Sequence, residues 1–319
     1  MLTVYPDYYP RFRCAAGACR HTCCEGWEID IDQETLAVYR RVPGALGRLL
    51  EEAVVPEPAP HFRLGPGDRC PFLTDGGLCE LILLGGEELL CQICRDHPRF
   101  RSFLPGRTEV GLGLCCEAAA ALVLSQTEPA RFLTEGAEDP EDPDAAALLA
   151  LRDALLDDAR DRRLPVEERM EKLLARCGAE MPPVSWADWA DFYLGLERLD
   201  DRWTGVLLNL RAQGDLVDIT SFREYMAGRI TEYEQLLVYF LYRHFLKAYD
   251  DGDPAGKAAF AVLSVRFLFT LGALRCRDTG VFTFADQVEY ARLYSAELEY
   301  SEENMTALFD RLGEDPWKG

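Results

Sequence analysis

Residues 232–249, EYEQLLVYFLYRHFLKAY, and residues 258–274, AAFAVLSVRFLFTLGAL, decide the fold class. Wound at 3.6 residues per turn, both are apolar on nearly every side, the pattern of helices buried in a core rather than lying on a surface. The second is the longest apolar run, and Arg266 interrupts it, which argues against a membrane span. His244 and Tyr242 in the first read as hydrogen-bonded core residues rather than catalysts. Working outward, residues 145–162 and 165–176 repeat leucine at i, i+3, i+4 and i+7. Ser185-x-x-Asp188 and Ser221-x-x-Glu224 resemble capping boxes ahead of apolar runs. The second half is therefore expected to be an α-helical domain over residues 145–319.

Residues 135–144, EGAEDPEDPD, combine acid, glycine and two prolines with a single apolar alanine, so they read as a linker. Before it, residues 1–134 carry short elements. Glu28–Asp32 alternates like a strand, Gln33–Glu52 reads as one helix, VVPEPAP breaks it, and a further helix runs from Cys116 to Leu124. The expectation is a mainly α protein, a loop-rich cysteine-cluster domain followed by the helical one. The opening MLTVYPDYYPRFRC has no basic segment leading into an apolar one, so neither export nor membrane insertion is expected and the chain reads as cytoplasmic.

The 319 residues hold 34 Lys plus Arg against 55 Asp plus Glu, a balance of −21. Such a surface is not built to neutralise nucleic-acid phosphates or anionic lipid, and a cationic partner suits it better. Fifteen of the 21 excess negative charges lie after residue 130.

Ten of the twelve cysteines fall in the first 116 residues. In a reducing compartment disulfides are kept open, so the concentration points to metal or cluster ligation. The spacing agrees: Cys14-x4-Cys19-x3-Cys23-Cys24, then Cys70 and Cys79 on the turn-rich RCPFLTDGGLC, then Cys91-x2-Cys94 and Cys115-Cys116. Loops of this kind can wrap several thiolates round one centre, and zinc and iron–sulfur both accept four. His21 and His97 are further donors, more economically read as hydrogen-bonded loop side chains. Gly111-Leu-Gly-Leu114 lacks the third glycine and helix-opening context of a dinucleotide loop, and reads as a strand or turn delivering Cys116.

The runs CAAGACRHTCCEGWEIDID, RCPFLTDGGLCEL, CRDHPRF and LCCEAAAALVL resemble the cysteine-rich half of the flagellin lysine-N-methylase family, and FADQVEYARLYSAELEYSEENMTAL resembles its closing segment. The first half is also similar in style to small zinc- or iron-chelating cysteine-cluster proteins. The resemblance implies a cytoplasmic enzyme that methylates lysine side chains of a protein, flagellin, from S-adenosylmethionine, with an iron–sulfur cluster of the 4Fe-4S kind. By position, Cys14, Cys19, Cys23, Cys24, Cys70, Cys79, Cys94 and Cys116 match the family's motif cysteines. His97-Pro98-Arg99 stands where the family has Tyr-Pro-Arg, and Cys115-Cys116-Glu117 where it has Ser-Cys-Pro-Glu, which leaves Cys91 and Cys115 as extra thiols.

Lysine, with a reference pKa near 10.4, must lose a proton before it can accept a methyl group. Glu25, Asp30, Asp32 and Glu117, beside the motif cysteines, are the candidate bases. The competing reading is a non-catalytic zinc- or iron-binding module that docks a partner protein.

Overall fold

The run beginning at Ala258 forms a single 26-residue helix, Pro254–Thr279, in the computed structural model, which describes residues 1–137, 142–180 and 184–314. Asp253 caps its start through the Gly256 N–H, Pro254 occupies the first turn where no amide is needed, and Gly280 ends it at φ +78°. By length and composition this helix could cross a membrane, but 83% of its apolar window is buried inside the protein. Helices Thr231–His244, Phe284–Tyr294 and Glu302–Glu314 pack against it. Phe267 meets Tyr193 and Tyr294 at ring-centroid distances of 5.1 and 5.3 Å, with Trp203 at 5.6 Å, so aromatic rings fill this core.

The structure is mainly α, as the periodicity implies, with a small sheet that the periodicity does not reveal. The strands are β1 (Leu2–Pro6), β2 (Val54–Val55), β3 (His61–Phe62), β4 (Arg99–Leu104), β5 (Arg107–Leu112) and β6 (Phe132–Gly136). Four of them order as β4-β5-β1-β6, with β1 parallel to β5 in the register Leu2 to Arg107 and antiparallel to β6 in the register Val4 to Thr134. The Tyr242 hydroxyl, 3.0 Å from the Val4 carbonyl and 3.2 Å from that of Val110, fastens helix Thr231–His244 to the sheet. Glu109 on β5 is buried and pairs at 2.5 Å with Arg152 of helix Pro143–Ala159.

Two compact units result, and their boundaries differ from the expected ones. Unit 1 comprises Met1–Phe12, Phe100–Cys115 and Ala119–Gly319; unit 2 comprises Arg13–Arg99 and Cys116–Ala118. The N-terminal strand is the reason, because pairing β1 with β5 and β6 draws stretches of the first 137 residues into the helical unit. The expected linker 135–144 is shorter than its composition suggests: Glu135 and Gly136 pair with β1, and Asp142 caps the helix starting at Pro143. Residues 138–141 lie outside the described residues.

Unit 2 has its own core of Ile29, Ile31, Leu36, Tyr39, Phe62 and Phe72. The expected helix Gln33–Glu52 is two helices, Gln33–Tyr39 and Gly44–Ala53. Pro43 cannot donate a backbone hydrogen bond and disfavours helical geometry at Val42, so the chain breaks there. Ser185 does cap helix Trp186–Gly195. The cap near Ser221 is instead Asp218, whose carboxylate accepts the Thr220 and Ser221 amides.

Candidate functional site

In unit 2, Cys24, Cys70, Cys79, Cys91 and Cys94 belong to or pack against one apolar core. The sulfurs of Cys91 and Cys94 are 3.4 Å apart. The Cys70 amide donates to the Cys24 carbonyl at 2.8 Å, and Cys79 is bridged to Leu73, which brings the ends of the RCPFLTDGGLC turn together. Thr74 closes that turn through both its hydroxyl and the Leu78 amide, and Gly77, at φ +72°, takes a conformation most other residues avoid. Arg69 holds it from outside, donating to the Leu73 and Thr74 carbonyls. The backbone amides of Phe72 beside Cys70, of Leu81 and Ile82 beside Cys79, and of Cys94 beside Cys91 favour the thiolate forms and work against burial.

Burial pushes the Cys70 thiol up to about 12 and raises that of Cys79. Sharing a hydrogen lowers Cys91 and raises Cys94, so the thiolate forms first on Cys91. A hydrogen bond from Cys23 is likewise the main reason Cys24 falls to about 7 against its burial, with Thr22 and Arg69 assisting.

Cys14, Cys19, Cys23 and Cys116 form a second neighbourhood. Cys14 and Cys23 are exposed, and Cys19 and Cys116 are half-buried. The Arg20 amide donates to Glu117 Oε2 at 3.1 Å, and its guanidinium stands 3.5 Å from Oε1, which sets Cys19-Arg20 against Cys116-Glu117. The Ala16 amide donates to the Cys14 sulfur at 3.3 Å. Burial, followed by the sulfur of Cys116, the carboxylate of Glu117 and the sulfur of Cys14, raises Cys19 to about 11.

The four candidate bases separate by their surroundings. Asp32 is the N-cap of helix Gln33–Tyr39, accepting the Thr35 amide and hydroxyl and the Gln92 amide, all at 2.8 Å. Burial raises its pKa, but those bonds outweigh it and leave the carboxyl below its ordinary value. A carboxylate so engaged is a joint between the first helix and the Cys91-x2-Cys94 turn. Glu25 pairs with Arg69 at 2.5 Å, and Asp30 is exposed and bridged to His61. Glu117 alone of the four stands in the second thiol neighbourhood.

Sequence reasoning set Cys91 aside as an extra thiol, yet it is 0% exposed and lies inside the first thiol group. Its two-residue spacing from Cys94, part of the ligand-like cysteine spacing, agrees with that position. Cys115 belongs to unit 1, where its side chain hydrogen-bonds the Tyr300 hydroxyl. His97 is half-buried, and the desolvation of its ring lowers its pKa to about 4 and keeps it neutral. None of the twelve cysteines is in a disulfide.

His244 is the hydrogen-bonded core residue that the sequence suggests, but its charged neighbours in unit 1 are not legible there. Glu299, at the end of a π-helical turn spanning Ser295–Glu299, accepts from the Tyr239 hydroxyl at 2.9 Å and meets His244 Nε2 at 2.5 Å, with Arg243 Nε at 3.4 Å. Turns of this kind recur at functional positions. The Tyr239 hydroxyl accepts from Arg243 at 2.7 Å and from the Leu114 amide at 3.3 Å.

An iron–sulfur or zinc group, as the resemblance implies, requires thiolate donors. Two thiolates at about 2.3 Å from one tetrahedral metal stand roughly 3.8 Å apart, close to the Cys91–Cys94 separation. The donor chemistry fits. Among the described residues, no group of three or more His, Cys, Asp or Glu side chains is arranged, as it stands, to hold a metal ion.

A thiol-rich unit joined to a mainly helical one is the class of protein this chain represents. Residues 195–318 match the family model of the FliB lysine N-methylase C-terminal domain. A lysine-N-methylase of Salmonella typhimurium is 26% identical over 133 residues, and one of Salmonella choleraesuis is 25% identical over 130, each match covering 39% of this chain and 32% of the relative. The flagellar biosynthetic protein FliU of Salmonella muenchen is 25% identical over 133 residues, covering 39% of this chain and 77% of that protein. The chain is similar to FliB over residues 195–318, and the alignments span about a third of the length of the two lysine-N-methylases. No solved structure matches it.

Proposed function

We propose that this chain is a cytoplasmic S-adenosylmethionine-dependent protein-lysine N-methyltransferase, acting on flagellin with the help of an iron–sulfur cluster held by its cysteines. The match of residues 195–318 to the FliB C-terminal domain carries this reading. The cysteine-dense unit 2, with nine of its thiols in two neighbourhoods, supports the cluster. An iron–sulfur cluster would supply an iron able to take the amino and carboxylate groups of S-adenosylmethionine. The chain's own work is to hold the lysine, exclude water and remove its proton. Glu117, which follows Cys116 and is held by Arg20, is the carboxylate we assign to accept that proton, since it alone of the four stands beside the second thiol group and Asp32 is committed to a cap. The surplus of acid, greatest after residue 130, suits a lysine-bearing protein and suits neither nucleic acid nor an anionic membrane.

The test is methyl incorporation into flagellin from labelled S-adenosylmethionine, using protein purified without oxygen, with hydrolysis to show methyl-lysine. Brown, iron-containing protein that labels flagellin lysines supports the proposal. Colourless zinc protein that labels no lysine-bearing substrate overturns it in favour of a binding module.

A further inference from the structure

We propose that an exposed apolar ridge on unit 2, Ile82-Leu83-Leu84 with Leu49 and Leu78, docks an amphipathic, lysine- or arginine-bearing segment of a partner protein, the substrate of the reaction proposed above. Only the identification of that partner as the substrate rests on the proposed function.

The ridge follows from a short helix. Helix Glu80–Gly85 turns a single residue, Leu81, into the core of unit 2 and leaves Ile82, Leu83 and Leu84 exposed by 41%, 58% and 55%. One exposed leucine is ordinary, whereas three in succession hold contiguous apolar area in water, and such area marks an interaction surface. Neighbouring residues enlarge it at both ends. Gly85 lies against helix Gly44–Ala53, where its Cβ would stand 3.5 Å from Leu46 Cδ2, and Leu49, one turn beyond Leu46, is exposed. At the other end a Cβ on Gly17 would stand 3.3 Å from Cδ2 of the exposed Leu78, so the ridge borders the turn between Cys14 and Cys19. A segment held there lies beside the first motif cysteines.

Charge names the occupant. Residues 70–94 carry Asp75, Glu80, Glu87 and Glu88 and no lysine or arginine, and Glu51 and Glu52 outnumber Arg48 on helix Gly44–Ala53. Glu51, Glu52, Glu87 and Glu88 are exposed, and none of the four has an ion-pair partner among the described residues. Exposed acids elsewhere are answered by arginine, Asp157 by Arg160 at 2.8 Å and Asp191 by Arg211 at 3.1 Å. An apolar centre with an unanswered acidic rim is complementary to a segment with an apolar face and cationic edges. A second copy of this chain seated on the same ridge would set acid against acid, and an anionic nucleic acid or membrane would meet the same repulsion.

The experiment titrates the full chain, purified without oxygen, into a fluorescein-labelled amphipathic peptide of leucine and lysine and follows anisotropy, with a leucine–glutamate peptide of the same length as the comparison. Wild type should bind the leucine–lysine peptide and not its acidic counterpart. Leu83→Ser/Leu84→Ser and Glu87→Lys/Glu88→Lys should each weaken binding about tenfold or more. Leu216→Ser, which changes a 77% exposed leucine of unit 1, should leave it unchanged. Thermal melts establish that each variant is folded, and should the leucine pair fail to fold, the glutamate pair decides. Wild type that binds neither peptide, or both equally, overturns the proposal, as does a folded double variant that binds like wild type. A wild-type dimer in sedimentation that Leu83→Ser/Leu84→Ser dissolves overturns it in favour of a second copy. Binding is read without methyl transfer, so protein that holds the leucine–lysine peptide but neither binds nor labels flagellin refutes the proposed function and leaves the ridge standing.

Discussion

His244 and Glu299 meet inside the helical unit with Nε2 2.5 Å from Oε1, and both side chains are almost wholly shut from solvent. The pair is not two charges of opposite sign. Burial holds His244 down at about 4, so the ring is neutral and donates from Nε2, which leaves Nδ1 as an acceptor without a partner. Burial alone would raise Glu299, but Arg243, then His244, bring it to about 2. Arg243 is therefore the counter-ion, and Glu299 stays ionised in a place where an unpaired carboxylate would be costly.

The first prediction follows from that neutral histidine. The unfolded chain takes up a proton at His244 near pH 6.5 and the folded chain only near pH 4, so between those values the unfolded state binds more protons. Stability should fall as pH drops through this window, by on the order of 3 kcal/mol for this group at about 1.36 kcal/mol per unit. Glu299 acts in the same direction lower down: its contribution is present above its unfolded value near 4.5 and is lost as pH falls toward 2. Urea midpoints from pH 7.5 to 4 should show the slope in wild type. His244→Gln, which keeps a donor to Glu299 and cannot titrate, should flatten it; an unchanged slope in the variant would place the proton uptake elsewhere.

Glu299→Gln removes the charge facing Arg243 and leaves that guanidinium buried. Breaking a buried pair at one end costs about 3–5 kcal/mol, so this variant should be among the most destabilising single changes in unit 1. Tyr239→Phe loses the hydroxyl that donates to Glu299 and accepts from Leu114 and Arg243, and should cost about 1–3 kcal/mol. Because both changes act on one network, the double variant should cost less than the sum, which equilibrium unfolding of all three proteins would measure.

What the sequence disclosed and what it withheld follow from range. The helices around Ala258–Leu274 and Glu232–Tyr249 were legible because hydrophobic periodicity is local, and so was the gathering of thiols in the first 116 residues. The parallel pairing of Leu2 with Arg107 spans more than a hundred positions, and nothing in MLTVYP announces a partner. The Glu299 network is hidden for a similar reason: its acid comes from a π-helical turn and its partners from another helix. Cys91 falls outside the matched motif cysteines, and its burial is visible in the structure alone.

Gly113 tests how tightly the network grips the strand end. A Cβ there would collide with the Tyr300 hydroxyl and come within 3.0 Å of the Arg243 guanidinium. Gly113→Ala should therefore destabilise by about 1–3 kcal/mol, the usual range for overpacking, although alanine suits the backbone at most positions. Gly205→Ala, where nothing lies within reach of a Cβ and the backbone is helical, is the control and should be neutral or stabilising. Thermal melts of the two side by side would check the contrast, and equal behaviour would mean that Tyr300 moves aside freely.

Asp32 separates a structural carboxylate from a chemical one. Its three hydrogen bonds cap helix Gln33–Tyr39 and tie it to Gln92, beside Cys91. The carboxyl titrates below its ordinary value, so the stability it lends is complete above the unfolded carboxylate range near pH 4 and is lost as pH falls through the lower, folded value. Asp32→Ala should cost about 1–2 kcal/mol at pH 7, from the lost cap and the freed Gln92 amide, and the penalty should shrink toward acid pH. Asp32→Asn, which can still accept hydrogen bonds, should restore part of the stability at neutral pH. If Asp32 were instead the base that deprotonates lysine, the asparagine variant would be stable yet inactive, with no gain in methylation on raising the pH to neutralise more of the substrate amine. Parallel unfolding curves and pH–rate profiles for Asp32→Asn and Glu117→Gln distinguish the roles. A structural Asp32 keeps the wild-type profile in Asp32→Asn at temperatures where it is folded, and a base at Glu117 shifts or abolishes the profile in Glu117→Gln with its melting temperature little changed.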